Sequence, residues 1–341
     1  MNMDADSQLT SAPPTLPVEE IAALAREHFG LEGTLGPLTS ERDQNHLLRL
    51  ADGRGVVLKI ANPAEPVAQT ANQCAALRHV ALADAGLPVP RMMPSRRGAD
   101  LVPLAQGGTL RAVTWLEGMP LAFAPRSSAQ RNAIGRLQAR LARAMADLPP
   151  PPADGALLWD LQQAPRLRPL LPAIADSALR DACARVLDRV EGTTLPALTA
   201  LLRQPIHGDL NPHNILVDPN APDHICGIID FGDMGFAPRV CDVAVASAYQ
   251  VDPSAPLASL QAFLGGIEAE APLTDAELAL LPALIAGRMV ATLAIASWRA
   301  AIYPDNAPYI LRNLPAARAG LGAVLALPEG ALVPDAEGSR R

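Results

Sequence analysis

"HGDLNPHNIL", residues 207–216, puts two histidines, an aspartate and two asparagines into ten positions and then runs into an apolar stretch. Downstream, "ICGIID" at 225–230 leads into Phe231 and Gly232. "NILVD" (214–218) and "ICGIID" read as short strands separated by the turn "PNAPDH" at 219–224. That reading predicts Asp209, Asn214 and Asp230 at the edges of one hairpin, close in space. One carboxylate and the amide so placed supply hard oxygens for a divalent cation, and the other carboxylate can take a proton.

Working outward, "NHLLRLADGRGVVLKIAN" (45–62) is two apolar runs around Asp52-Gly53-Arg54-Gly55, the mark of a hairpin with Lys59 on its second strand. A helix over 17–30 precedes it, ended by Gly30, and "VAQTANQCAALRHVALADAG" predicts another that stops at Gly86 before the extended "LPVP". Strands follow around "DLVPLAQGGTLRAVTWLEG" (100–118). From Ser128 helix dominates. "SAQRNAIGRLQARLARAMADL" sets Ile134, Leu137, Leu141 and Met145 on one face behind a serine cap, and Pro149–Pro152 breaks it into an extended loop. "LLWDLQ" and two helical stretches follow, up to about Leu202. Thr274 and Glu277 have capping-box spacing before a helix that reaches about Tyr303, with Pro282 kinking or splitting it. The expected organisation is α+β and bilobal: a flexible tail 1–16, a small mixed lobe 17–116, a larger mainly helical lobe 117–327 and a flexible tail 328–341.

Composition removes several classes. A formal charge of -7 with no run of Lys or Arg speaks against nucleic acid. The most apolar segment, 283–298, is short for a bilayer span and carries Arg288. Cys74, Cys183, Cys226 and Cys241 are scattered, as for reduced thiols in a cytoplasmic protein. The acidic, Pro/Ser-rich start has no signal-peptide h-region. His207 and His213 lack companions at metal-ligand spacing and read as hydrogen-bonding residues.

The protein-kinase catalytic loop is H-R-D-L-x-x-x-N, and His207-Gly208-Asp209-Leu210-Asn211-Pro212-His213-Asn214 differs from it only at the arginine. Asp230-Phe231-Gly232 is the D-F-G triplet whose aspartate holds magnesium. A kinase also needs a strand lysine for the α- and β-phosphates, and "VVLKI" supplies Lys59. A lone strand lysine often merely snorkels; the two motifs that follow it decide the reading.

These residues resemble the aminoglycoside phosphotransferase-like superfamily of small-molecule kinases, with its H-G-D-x-x-x-x-N and I-D-F/W signature. Within it they look closest to the hydroxylysine kinase family, on "RDQNH" (42–46), "TWLEG" (114–118), "LLWDLQ" (157–162), "HGDLNPHNIL", "GIIDFGDM" and "YPDNAPY" (303–309), covering roughly residues 17–327. The resemblance implies a protein-kinase-like fold and transfer of a γ-phosphoryl group to a hydroxyl of 5-hydroxylysine, with Mg²⁺ and GTP or ATP. Asp209 then looks like the catalytic base, Asn214 and Asp230 like magnesium ligands and Lys59 like the phosphate lysine. Thr114, Trp115, Leu116 and Glu117 look like the purine-holding hinge, with His207 and Asp242 bracing the loop.

Two departures stand out. No G-x-G-x-x-G covers the phosphates; "TSERDQN" (39–45) stands there, with Asn45 the residue to watch. The helix after Lys59 has no acid to pair with it, so Gln73 or Asn72 is expected to hold the lysine by a neutral hydrogen bond. For an amino-acid acceptor, Arg288 is nominated for the carboxylate, against an ion pair in the core, and Trp159, Asp160 and Asp233 for the ammonium end. Rival readings are a homoserine kinase, an aminoglycoside phosphotransferase, or a nucleotide-binding pseudokinase that regulates a partner.

Overall fold

The computed structural model describes residues 11–40, 42–150 and 157–333. Most of the expected N-terminal tail and more than half of the C-terminal one, Glu41 of the stretch 39–45, and Pro151 and Pro152 lie outside the described residues. The chain forms two compact units, Met1–Gly118 with Cys226–Gly232, and Met119–Ile225 with Asp233–Arg341.

In the first unit, α1 (Val18–Leu24) runs on to Phe29 and ends on Gly30, whose left-handed φ of 69° closes the helix. The antiparallel sheet follows: β1 (Gly33–Leu38), β2 (Gln44–Leu50), β3 (Gly55–Ile60), β4 (Met92–Met93), β5 (Val102–Pro103) and β6 (Thr109–Thr114), ordered β1-β2-β3-β6-β4 with β5 also on β6. Strand alternation sorts the two faces. Val56, Leu58 and Ile60 of β3, with Leu110 and Ala112 of β6, bury against Ile21 and Ala25. Lys59 and Arg111 therefore share the opposite face, where α2 (Val67–Ala83) lies through Gln73. α2 ends before Gly86 because the Asp84 carboxylate accepts the Gly86 N–H at 3.0 Å.

The second unit contains β7 (Met119–Pro120), α3 (Ser128–Met145), a 3₁₀ helix over Leu161–Ala173, α4 (Ser177–Arg189), β8 (Arg203–Ile206) and β9 (Ile215–Asp218). β10 (Ala221–Ile228), β11 (Gly235–Pro238), α5 (Arg239–Ala248), α6 (Pro256–Glu270), α7 (Asp275–Ile302) and α8 (Leu314–Leu325) follow, with the chain passing between the units inside β10. Pro165, Pro169 and Pro172 have no N–H to give, which accounts for 3₁₀ rather than α winding over 161–173. The turn expected at 219–224 is shorter: the Asp218 carboxylate accepts the Asn220 N–H at 2.8 Å, and β10 already starts at Ala221.

α7 is the axis of this unit. Pro282 sits eight positions in without splitting it, and the capping box at Thr274 and Glu277 is formed in both directions. It is long and apolar enough to span a membrane, yet 83% of its apolar window is buried in the protein, as in a core helix. α3 crosses α6 at glycines: a Cβ on Gly135 would lie 2.1 Å from the Phe263 carbonyl oxygen, and one on Gly266 2.0 Å from that of Asn132.

Candidate active site

β8 delivers the chain to His207 and β9 takes it up at Ile215, so residues 207–214 form a loop held at both ends. Its backbone is fixed from behind. The Gly208 N–H donates to Asp242 Oδ1 at 2.8 Å and the Asp209 N–H to His207 Nδ1 at 3.2 Å. His207 and Asp242 are buried, and burial pushes the Asp242 carboxyl up, partly countered by His207 and the Gly208 N–H. Asp242 lies inside α5 and caps the loop instead of its own helix. Gly208 has φ +80° and its Cβ position would be 2.3 Å from the Asp233 carbonyl oxygen. The arginine of the protein-kinase loop has no room there.

This frame aims the Asp209 carboxylate. Oδ2 accepts from Asn211 Nδ2 at 2.8 Å and from Asn214 Nδ2 at 2.9 Å; Oδ1 accepts from Arg288 Nη2 at 2.7 Å. Asn214 Nδ2 also reaches the Asp209 carbonyl at 3.0 Å, so the Asn214 side-chain oxygen faces away from Asp209. Arg288, on α7, is buried 4.8 Å from the Trp159 ring centroid and 5.7 Å from that of Tyr249, whose hydroxyl is 3.3 Å from Nη2. Burial works against its charge, but Tyr249, Asp209 and Asp233 outweigh that and hold its pKa above the ordinary value. Its Nε and Nη1 are buried without a hydrogen-bond partner among the described residues.

Of the residues nominated for an ammonium group, Trp159 presents its ring to Arg288, and Asp233 adds its charge beside the same guanidinium. Asp160 is used otherwise: it caps the 3₁₀ helix through the Gln162 N–H at 2.9 Å and also accepts from the Gln162 amide. Burial raises its carboxyl.

In the first unit the register sets Asn45, Lys59 and Arg111 directly across from one another on β2, β3 and β6. The Asn45 Oδ1 is buried without a partner among the described residues. Lys59 Nζ is 3.7 Å from Asp230 Oδ1. Asp230 has φ 64°, the positive-φ non-glycine conformation among the described residues, in the backbone region where functional aspartates store strain. The expected bond from α2 to Lys59 is not made. Gln73 Oε1 instead accepts from buried Arg111 at 2.7 Å, and its Nε2 donates to Glu65 at 2.7 Å. A guanidinium on the neighbouring strand outcompetes the ammonium for the amide oxygen, because it is buried and must be paired. In the stretch nominated as the hinge, the Thr114 N–H goes to the Arg91 carbonyl and the Trp115 N–H to that of Gly55, while the Glu117 carboxylate pairs with Arg49.

A hydrogen-bonded carboxylate and an amide on a braced loop of the second unit, and in the first a strand lysine on an aspartate, are each parts that phosphoryl transfer uses. Residues 34–279 match the model of the phosphotransferase enzyme family. The chain belongs to this family. Within the phosphotransferase family it is 29% identical to a hydroxylysine kinase of Mus musculus over 88% of this chain and 87% of that one. It is 32% identical to a homoserine kinase of Acidiphilium cryptum over 66% and 69%. Among solved structures it resembles an amicoumacin kinase in complex with AMP-PNP and Ca²⁺, at 15% identity and TM-score 0.65, over 88% and 93% of the chains. The protein is thus a small-molecule kinase that moves phosphate to a hydroxyl group, on a bilobal-kinase type of α+β fold. A pseudokinase role has lost its support, since the acid missing from α2 leaves Lys59 paired all the same.

Three residues of the site escape a reading of sequence alone. Asn211 is within the motif, and its amide two residues after Asp209 was a usable signal. Arg111 is a charge between Leu110 and Ala112, legible once β3 and β6 are paired. Tyr249, at the end of α5, carries no local signal.

Proposed function

We propose that this kinase transfers the γ-phosphoryl group of a purine nucleoside triphosphate, GTP or ATP, to the side-chain hydroxyl of an amino acid, 5-hydroxylysine above all. The observation that carries the acceptor class is Arg288: a buried guanidinium on the base Asp209, with two donors unmatched, suits an acceptor that brings a carboxylate. The likeness to hydroxylysine kinase over most of both chains supports the choice of acid.

In this reading Asp209 orients the acceptor hydroxyl and takes its proton, while Asn211 and Asn214 hold the carboxylate in place. Lys59 binds the phosphates, and Asn45 and Arg111 extend its row. Leu116 and Glu117 are left to read the purine through their backbones, as the N–H groups of Thr114 and Trp115 serve the protein. Residues 17–116 then handle nucleotide and 117–327 the acceptor. His207 and Asp242 brace, and the four free thiols suit the cytoplasm.

Asn214 and Asp230 are the proposed ligands of Mg²⁺. Their oxygens are hard donors, the Asn214 amide is turned for it, and no cluster of three His, Cys, Asp or Glu among the described residues competes. When bound, the ion would neutralise charge on the phosphates.

Homoserine, a shorter hydroxy amino acid, is the second reading, favoured by the relative from Acidiphilium cryptum. A polycationic aminoglycoside would meet the Arg288 cation at the base and is disfavoured. Nucleoside diphosphate release measured with GTP or ATP, Mg²⁺ and 5-hydroxylysine, homoserine, choline or kanamycin decides among them. Turnover strongest with 5-hydroxylysine supports the proposal; strongest turnover with kanamycin or choline rejects the amino-acid class.

A further inference from the structure

The contact between Arg288 and Asp209 has a cost for catalysis. A general base must offer a lone pair to the incoming hydroxyl. Asp209 Oδ2 already accepts two amides, and Nη2 of Arg288 takes one of the two lone pairs of Oδ1 at 2.7 Å. The arginine is well kept there: its side chain is 3% exposed, between the rings of Trp159 and Tyr249.

The guanidinium also leaves two donors unmade. Buried donors without acceptors are costly and uncommon, and those of Arg288 are Nε and Nη1. A carboxylate grips a guanidinium in a fork by two neighbouring nitrogens, and both forks of Arg288 include Nη2. The two protons of Nη2 are engaged by Asp209 and, at 3.3 Å, by the Tyr249 hydroxyl. A carboxylate that completes a fork must therefore take Nη2 away from one of them.

We propose that Arg288 is a latch on Asp209, released when the carboxylate of an acceptor takes the Arg288 fork, so that the donor nucleotide is not hydrolysed by water before an acceptor is bound. The inference rests on the reading of Asp209 as the base, and it makes the acceptor carboxylate a condition for turnover as well as a handle. The reaction the latch prevents is a complete one. A water oxygen bonds to the γ-phosphorus, its proton passes to Asp209, and the broken P–O bond leaves its electron pair on the nucleoside diphosphate, giving inorganic phosphate. With Arg288 on Oδ1, the guanidinium competes for the electron pairs that would take the water proton. With the latch moved to a substrate carboxylate, Oδ1 faces the acceptor hydroxyl.

Arg288→Met keeps the apolar stem against Trp159 and removes the fork; Arg288→Lys keeps the charge without the fork and serves if the first variant does not fold. Phosphate release from GTP or ATP with Mg²⁺, in the absence of any acceptor, is the first readout. It is expected to rise at least about tenfold over the wild type, within the roughly 10²-fold that a general base contributes at the low end. Adding Asp209→Asn to the same variant is expected to abolish the rise. The second readout is kcat/KM for 5-hydroxylysine against its carboxamide. The wild type is expected to favour the acid by about tenfold or more, and the variants to favour it by less than about threefold. Idle hydrolysis that stays at the wild-type rate while nucleotide binding and Tm are retained overturns the latch, as does a rise that survives Asp209→Asn. If no hydroxy amino acid is a substrate, the acceptor reading fails, and Asp209-dependent hydrolysis in Arg288→Met still decides the latch on its own.

Discussion

Asp209 has Asn211, Asn214, Arg288 and, through its N–H, His207 among its hydrogen-bonding neighbours. In the proposed role of base it acts through its own lone pair, which an amide cannot replace. Asp209→Asn is expected to lower kcat by about 10²- to 10⁴-fold with nucleotide affinity unchanged, measured by steady-state kinetics and calorimetry. Gly208 gives a structural test of the same loop. An alanine there must adopt a φ of +80° and press its Cβ on the Asp233 carbonyl, so Gly208→Ala should cost about 2–3 kcal/mol in unfolding free energy and much of kcat. A variant with wild-type Tm and turnover would show that the loop has more room than its contacts imply. At this scale the sequence was informative because motif residues act at fixed offsets: His207, Gly208, Asp209 and Asn214 are where their spacing puts them. Arg288 was legible only as a charge on an apolar helix, and its partner could not be read, because Asp209 is 79 positions away.

Elements show where local rules hold and where neighbours overrule them. The α7 cap was visible from Thr274 and Glu277, but the Arg239 guanidinium that clasps Glu277 at 2.8 Å was not, since it comes from the first turn of α5. Burial alone raises the Glu277 carboxyl; Arg239 and the Thr274 hydrogen bonds overcome it and hold it below its ordinary value. A depressed folded pKa contributes stability that is present above the unfolded value and is lost as pH falls through the folded one. Glu277→Gln should therefore lower Tm most above about pH 5, a loss of about 2–3 kcal/mol, with the gap closing in more acidic buffer. A gap independent of pH would mean that the carboxylate charge does not act there. α2 shows the opposite lesson. Its lack of acid was read as a neutral amide on Lys59, whereas Gln73 serves Arg111 and Lys59 stands on Asp230. Gln73→Ala should cost about 1–3 kcal/mol of stability by stranding a buried guanidinium. It should leave nucleotide KM within about threefold, less than ~1 kcal/mol, whereas Lys59→Ala should raise it far more. Equal effects on KM would return Gln73 to the lysine.

At the scale of the whole molecule, the α+β class and the order of elements follow from periodicity, because amphipathic helices and alternating strands imprint their burial on the chain. Boundaries moved where side chains intervene, as Asp218 does in tightening the turn before β10 and Asp84 in stopping α2 early. Sheet register, which lines up Asn45, Lys59 and Arg111, is a long-range property and needed the structure. The family match and the braced Asp209 make the protein a small-molecule kinase; the acceptor is the claim most worth testing. Phosphorus NMR of 5-hydroxylysine incubated with the enzyme, Mg²⁺ and GTP or ATP observes the product directly. The account expects a phosphate monoester on the side-chain hydroxyl, formed by the wild type and absent with Asp209→Asn. A wild-type reaction that yields only inorganic phosphate, or an ester that Asp209→Asn still makes, would contradict it.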